Sequence, residues 1–145
     1  MTDHDEHYRR LERMYLAAPA NEYFRPEIRI EEGAAEVRIA VRPDFFHAAN
    51  AVHGSVYFKL LDDATFFAAS SLVYDAFVLT TSFNIYFLRP VSSGVMTARG
   101  TVVNRSNRLL VGEGVLVDSD GREIARGSGT FMTSRVPLDE RLGYR

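Results

Sequence analysis

The chain has 145 residues, of which 46% are hydrophobic and 25% charged, a composition typical of a single globular domain with a substantial core. The formal net charge of −2 argues against a nucleic-acid partner, and the absence of cysteine excludes a disulfide framework, a thiolate nucleophile and a zinc–cysteine site. The acidic N-terminus has no apolar segment of the kind found in a secretory signal, so we expect a cytoplasmic protein.

The first forty residues predict a helix followed by two strands. Helical periodicity covers 3–17, with Thr2 or Asp3 available as N-cap and Pro19 as the stop. A first strand is predicted within 23–31. A second is predicted over 35–41, where apolar and charged residues alternate, so the pair is expected to form a half-buried antiparallel hairpin.

The segment from Asn50 to Tyr74 predicts a loop that turns at His53–Gly54 and leads into one long helix. This helix is apolar on most of its circumference, which is typical of a buried helix. Its narrow polar stripe consists of Ser55, Lys59, Asp62, Asp63 and Ser70. Three charges near the middle of the segment exclude a membrane span, so other elements of the domain are expected to wrap around the helix.

Four further strands are predicted over 78–88, 95–104, 109–117 and 124–133, and 135–145 is predicted to be a loose tail. Alternation in the first of these strands places Leu79, Thr81, Phe83, Ile85 and Phe87 on one face, and Thr80, Ser82, Asn84 and Tyr86 on the other. The element order predicts an α+β fold in which a curved antiparallel sheet of five to six strands wraps around the long helix. We expect a single domain over 1–145, with a core at about 22–134 and a leading helix within 1–19.

Several motifs in this order resemble those of one family. His53-Gly54-Ser55 resembles a His-Gly-Gly turn, Asp62 follows nine positions after His53, and Leu61-Asp62-Asp63-Ala64 resembles a Leu-Ala-Asp-x-Ala run. The stretch 83–90 resembles a strand signature that ends in a basic residue and proline. Together these features resemble hotdog-fold acyl-CoA thioesterases of the PaaI type. The chain departs from the family pattern at three positions, with His47 in place of a common Asn, Asn50 in place of Gly and Ser55 in place of the second motif Gly.

The resemblance implies a role for each motif residue. The Gly54 N–H, at the positive end of the helix, would polarise the thioester carbonyl. Asp62 would act as nucleophile or as general base at a site formed with a second subunit, and partial burial should raise its pKa. Thr80 would hold the attacking water or is an ordinary strand residue, and His53 is expected to shape the loop more than to transfer protons. Lys59 and Asp63, at i and i+4, are interpreted as an ordinary ion pair.

Substrate-binding candidates lie on both sides of these motifs. His47, Asn50 and Ser55 are predicted to border the substrate pocket. Three arginines, expected at strand ends near a hairpin tip, are candidates for binding the phosphates of coenzyme A: Arg89, Arg105 and Arg108. The four histidines lack metal-ligand spacing, so no metal and no cofactor are expected apart from coenzyme A as part of the substrate. The sequence does not specify the acyl group.

Three functions remain open at this point. The first is hydrolysis of an acyl- or aryl-CoA, the second is a non-catalytic hotdog module that binds acyl-CoA, and the third is a hotdog hydratase or dehydratase. Serine-based hydrolysis and nucleotide binding are disfavoured because G-x-S-x-G, a P-loop and G-x-G-x-x-G before a helix are all missing. A single hotdog unit leaves one sheet edge unpaired, so a homodimer or a dimer of dimers (a homotetramer) is expected.

Overall fold

The computed structural model describes residues 2–145. Two N-terminal helices, α1 (Asp3–Ala17) and the short α2 (Ala20–Phe24), precede the strands β1 (Glu27–Glu31) and β2 (Ala34–Ala40). A 3₁₀ turn (Pro43–Phe45) and a loop lead to the long helix α3 (Gly54–Ser70). Four strands follow, β3 (Ala76–Phe87), β4 (Val95–Arg105), β5 (Leu109–Val117) and β6 (Glu123–Pro137), and a final 3₁₀ turn spans Glu140–Leu142.

All six strands form one antiparallel sheet in the order β1-β2-β4-β5-β6-β3. Helix α3 lies across one face of this sheet and contacts every strand. Leu60 and Leu61 are adjacent on α3 and both are fully buried, which confirms that the helix is enclosed on more than one side. The predicted arrangement, a sheet wrapped around a central helix, is therefore the observed one.

The close contact between α3 and β4 depends on a glycine. A Cβ placed on Gly100 of β4 would lie 2.5 Å from the backbone carbonyl carbon of Ala64 and from the amide nitrogen of Thr65. No side chain fits in that space, because the obstacle is helix backbone rather than a movable side chain. The absence of a side chain at Gly100 thus sets how deeply α3 sits in the sheet.

Several predicted elements are confirmed, and the ends of others differ. Helix α1 and strand β5 have the predicted bounds, and Thr2 caps α1 by accepting the Asp5 N–H at 3.2 Å. The prediction that the first strand begins near residue 23 was wrong, because 20–24 form the short helix α2. Helix α3 ends at Ser70 rather than continuing toward Tyr74, and the hydroxyls at its end bond to helix carbonyls (Ser70 to Phe66, Ser71 to Ala68).

The C-terminal residues are not the loose tail that the sequence predicts. Strand β6 continues to Pro137, and the chain then folds back against α1. The Tyr144 hydroxyl lies 2.7 Å from Nδ1 of the buried His7, and Leu142 packs against the main core. Met1, at the start of the predicted leading segment, lies outside the described residues.

Strand β3 contains a bulge that changes which side chains face the helix. Thr80 pairs with Phe131 and Ser82 with Thr130, so Thr81 is an extra residue on β3. Before the bulge, Val78 is fully buried and Leu79 is 51% exposed. The prediction that Leu79 shares a face with Phe83 was therefore wrong.

Within residues 2–145, no helix combines the length and the apolar character needed to cross a membrane.

Candidate active site

The N-terminus of α3 is built by His53, Gly54 and Ser55. His53 is the N-cap residue, and its Nδ1 accepts the backbone N–H of Ser55 at 3.0 Å. The Ser55 hydroxyl lies 2.8 Å from the same ring nitrogen, so the side chains of His53 and Ser55 bond to each other. This geometry gives His53 a capping role and leaves Gly54 as the first residue of the helix.

Gly54 borders an open cavity of about 370 Å³. As the first helical residue it has no acceptor within the helix, and no residue of the described chain, 2–145, accepts a hydrogen bond from its N–H. A Cβ at this position would lie 2.7 Å from Cε1 of Phe87, so the ring occupies the space that a side chain would need. Glycine is therefore required here for the close packing of Phe87, and its N–H, at the start of the helix, borders the cavity. The cavity lining is completed by His47, Val52, Tyr57, Leu88, Arg89 and Pro90.

The loop before α3 contains two of the predicted substrate-binding residues. His47 borders the Gly54 cavity, and its Nδ1 accepts the Ala49 N–H at 3.0 Å. Asn50 has a φ of 63°, a left-handed conformation, which explains physically why the family pattern has glycine there. The Asn50 carbonyl accepts the Ser92 hydroxyl at 3.0 Å, so the residue also holds the loop in place.

Asp62 lies two turns further along α3, at the edge of a second cavity of about 440 Å³. Its Oδ1 accepts a hydrogen bond of 2.9 Å from the Thr80 hydroxyl on β3. Burial raises the pKa of Asp62 to about 6, with a smaller rise from the neighbouring Asp63, while the Thr80 hydroxyl and the Lys59 charge act in the opposite direction. An acid with this pKa is mostly ionised at neutral pH and remains basic enough to accept a proton.

Thr80 reaches Asp62 because of the bulge at Thr81. The sequence predicts Thr80 on the strand face opposite to Phe83 and Phe87, but the structure turns all three toward α3, with Phe83 5.4 Å from Phe58 between ring centroids. That prediction of opposite faces was wrong, because one extra residue inverts the alternation between Thr80 and Phe83.

Asp63 is engaged in a separate set of contacts. Its Oδ2 accepts hydrogen bonds from the Lys59 ammonium at 2.7 Å and from the Tyr15 hydroxyl at 2.6 Å. The predicted Lys59–Asp63 pair is therefore observed, with both side chains largely buried. Tyr15 belongs to α1, and nothing in its local sequence distinguishes it from an ordinary core tyrosine.

Gly54 and Asp62 do not share a cavity within one chain. Eight positions along a helix correspond to about 12 Å, and the Gly54 and Asp62 cavities have no lining residue in common. The walls of the Asp62 cavity come mainly from apolar residues of α1, α3 and β3: Met14, Phe66, Phe67, Phe77 and Leu79. Gly54 and Asp62 therefore border two separate cavities at different points along α3.

The three predicted phosphate-binding arginines are also separated. Arg89 borders the Gly54 cavity, whereas Arg105 and Arg108 border a polar cavity of about 600 Å³ beyond the C-terminus of α3. There the Arg105 guanidinium donates to the Leu72 carbonyl at 3.2 Å. The expectation that all three arginines lie near one hairpin tip was wrong for Arg89, since the long β3 strand carries it to the opposite end of the sheet.

Two features of the site were missed from the sequence, Tyr15 and Asn21. The Asn21 amide donates to the Tyr15 carbonyl at 2.7 Å and borders the Asp62 cavity. Both residues lie on the N-terminal helices, far in sequence from Asp62, and no short motif marks them. Across the described part of the chain, no group of three or more histidine, aspartate or glutamate side chains is arranged to hold a metal ion.

Comparison with known proteins gives a family match across the centre of the chain. The model of the thioesterase superfamily matches residues 49–125, which include the Gly54 turn, α3 and strands β3 to β5. A protein of Saccharolobus solfataricus that is provisionally named an esterase is 26% identical over 111 residues, covering 77% of this chain and 79% of that protein.

Solved structures show the same architecture. The Escherichia coli PaaI protein from the phenylacetic acid degradation operon superposes with a TM-score of 0.85 at 20% identity, covering 94% of this chain and 99% of that chain. A thioesterase family protein of Silicibacter pomeroyi superposes with a TM-score of 0.79 at 27% identity, covering 86% and 96%. Together with the family match, these similarities confirm the predicted hotdog fold and the resemblance to PaaI-type thioesterases.

Proposed function

We propose that this chain, which belongs to the thioesterase superfamily and is a thioester hydrolase, acts on an acyl- or aryl-CoA and releases the free acid and coenzyme A. The observation that carries the proposal is the placement of Asp62. A carboxylate with a raised pKa, held by one hydroxyl at the edge of a mainly apolar cavity, is suited to acid–base or nucleophilic chemistry.

The Gly54 amide supplies the second element of the mechanism. The carbonyl oxygen of the thioester would accept this N–H, at the positive end of α3, and the charge that develops on the oxygen during attack would be stabilised there. Removing one such donor in other enzymes typically lowers kcat by about 10²–10³-fold.

Asp62 then acts in one of two ways, as a nucleophile or as a general base. As a nucleophile, its carboxylate attacks the carbonyl carbon, the C–S bond breaks to release coenzyme A as thiolate, and water hydrolyses the resulting mixed anhydride. As a general base, it takes a proton from a water molecule that attacks the same carbon; the C–S bond then breaks, and the proton on Asp62 passes to the departing thiolate. In both cases the thiolate gains a proton, the Thr80 hydroxyl steadies the carboxylate or the water, and no cofactor is consumed.

A homodimer would complete the site. Strand β3 is a sheet edge whose outer part exposes large apolar side chains, including Leu79 at 51% and Tyr86 at 66%. Antiparallel pairing of two β3 strands would lay two α3 helices side by side in opposite directions, so that Gly54 approaches Asp62 of the partner subunit. We propose this dimer, alone or paired into a tetramer; a monomeric mass in sedimentation would contradict it.

The same dimer suggests how the substrate is held. Antiparallel pairing brings the Arg105 and Arg108 end of one protomer toward the Arg89 end of the other, so all three arginines would lie on the path of the coenzyme A phosphates. His47, Asn50 and Ser55 would border the thioester end, and His53 would keep the Gly54 turn in place. A cytoplasmic location stays a prediction.

The test is hydrolysis of a panel of acyl-CoAs, followed with a thiol reagent, by the wild type and by Asp62→Asn. Asp120→Asn, in an exposed turn, is the matched control and should behave like the wild type. We expect Asp62→Asn to lose at least about 10³-fold in kcat. Equal rates for Asp62→Asn and the wild type would remove Asp62 from the chemistry. Absence of turnover on every thioester would favour a non-catalytic binding module, and hydration of an enoyl-CoA would favour the hydratase.

A further inference from the structure

The Asp63 carboxylate, next to Asp62, is bound by side chains of two elements, α1 and α3. The Lys59 ammonium and the Tyr15 hydroxyl bond to the same oxygen of Asp63, at 2.7 and 2.6 Å. Tyr15 lies on α1 and is 5% exposed, and its backbone carbonyl is bound by the amide of Asn21 on α2. These contacts join α1 and α2 to α3 at the position that adjoins Asp62.

Lys59 is fixed in place as well. Its ammonium lies 5.4 Å from the ring centroid of Tyr15 and 4.8 Å from that of Phe24, positions favourable for cation–π attraction. Its side chain is 16% exposed, and that of Asp63 is 17% exposed. A solvated surface pair would be mobile and nearly neutral in its effect, whereas this pair is enclosed and directed by aromatic rings.

The four titratable groups that line the Asp62 cavity, among residues 2–145, are Tyr15, Lys59, Asp62 and Asp63. The neighbouring Asp63 carboxylate disfavours ionisation of Asp62 and so contributes to the raised pKa of Asp62. The structure compensates the two carboxylates unequally. Asp63 receives a cation and a hydroxyl, while Asp62 receives one hydroxyl, from Thr80.

We propose that Lys59, Tyr15 and Asp63 act as positioning residues for the reaction: Lys59 and Tyr15 hold and compensate the Asp63 carboxylate, so that Asp62 is the one carboxylate of the cavity that accepts a proton or attacks the thioester near neutral pH. This inference rests on the proposed function of Asp62. It assigns to the N-terminal helix a part in the chemistry, although that helix lies outside the matched residues 49–125.

The experiment is the pH dependence of kcat/KM for the wild type and for variants of Lys59 and Asp63, measured on an acyl-CoA that the wild type hydrolyses. Lys59→Met removes the compensating cation and should move the acidic limb of the profile up by about one pH unit. Asp63→Asn keeps the side-chain shape, removes the neighbouring negative charge and should move the limb down by about one pH unit. The double variant should return the limb toward the wild-type position, and Lys59→Arg should preserve it.

A purely structural role would lower activity at every pH without moving the limb. If Lys59→Met and Asp63→Asn have the wild-type midpoint while Asp62→Asn is inactive, the positioning inference fails and the proposed function stands. If Asp62→Asn is as active as the wild type, the proposed function itself fails. Should Lys59→Met not fold, the isosteric Asp63→Asn decides the inference alone, since an unmoved midpoint in that variant overturns it.

Discussion

The Thr80 hydroxyl on β3 donates a hydrogen bond of 2.9 Å to Oδ1 of Asp62 on α3, and in doing so it joins the edge strand to the central helix. The hydroxyl stabilises the charged form of the acid, in opposition to burial, which disfavours it. The pKa of Asp62, about 6, reflects both effects.

Removing this hydroxyl should make Asp62 harder to ionise. In Thr80→Val we expect the acidic limb of the kcat/KM profile to move to higher pH by about 0.5–1 unit, because the charged carboxylate loses its donor. Thr80→Ser retains a hydroxyl and is the matched control, with an expected midpoint close to that of the wild type. Identical profiles for the Val and Ser variants would show that the bond does not act on Asp62 during catalysis.

Asp62 should make the protein less stable as the pH rises. Its pKa in the folded state lies above the ordinary value of 3.8, so between about pH 4 and pH 6 the folded chain holds more protons than the unfolded chain, and the free energy of unfolding falls with increasing pH. Asp62→Asn removes the free-energy cost of holding an ionised carboxylate in a largely buried position. We expect the variant to be more stable than the wild type at pH 8 by on the order of 1 kcal/mol, after discounting for solvent screening, with the difference vanishing near pH 4.

Denaturant unfolding of both proteins at pH 4 and pH 8 measures this difference. A variant that is destabilised equally at both pH values would mean that the Asp62 carboxylate is better compensated than its contacts suggest. A stabilised but inactive variant is the outcome expected of a residue retained for chemistry.

Gly54→Ala should impair catalysis more than folding. The added methyl would meet the ring of Phe87, which must shift, and it would crowd the approach to the N–H that begins α3. We expect kcat/KM to fall by roughly 10–100-fold, with the far-ultraviolet circular dichroism unchanged, since alanine is a good helix former. Steady-state kinetics checks this, and full activity would exclude close approach of the substrate to the Gly54 amide.

Gly100→Ala should impair folding more than catalysis, and we expect a large loss of stability. Its Cβ would lie 2.5 Å from α3 backbone atoms, so the helix must move away from the sheet. We expect a loss of more than about 3 kcal/mol in the free energy of unfolding. Gly112→Ala on the neighbouring strand is the control, because its nearest contact is a side-chain atom of Thr65 at 3.2 Å and a smaller loss is expected.

Arg108→Gln should affect binding of coenzyme A but not of a truncated thioester. If Arg108 contacts a phosphate, KM for an acyl-CoA should rise by about fivefold. The N-acetylcysteamine thioester of the same acid lacks the nucleotide and should show no change. Arg29→Gln is the control, because Arg29 is an exposed residue of β1 at the far edge of the sheet. An equal change in KM for both thioesters would show that Arg108 does not act by binding the phosphates of coenzyme A.

The sequence was informative where a long periodic segment or a short motif was present. The apolar circumference of α3, the turn at Gly54 and the Lys59–Asp63 spacing all predicted observed features. Helix α2 was missed because five residues are too few to display a helical period.

Long-range and register features were not predictable in the same way. The contacts Tyr15–Asp63 and His7–Tyr144 join residues 48 and 137 positions apart, and a single sequence contains no signal for such pairs. The bulge at Thr81 was missed because residues 76–79 are all apolar and residues 80–82 are all polar, so neither run shows where the alternation changes phase.

Because of the extra residue at Thr81, even-numbered residues face α3 before the bulge, and odd-numbered residues face α3 after it. A strand without it would present to the helix either Thr80 together with Tyr86, or Leu79 together with Phe87, but never the hydroxyl and the Phe87 ring at once. Deletion of Thr81 would therefore turn either the Thr80 hydroxyl or the Phe87 ring away from α3, although both residues would still be encoded in the gene.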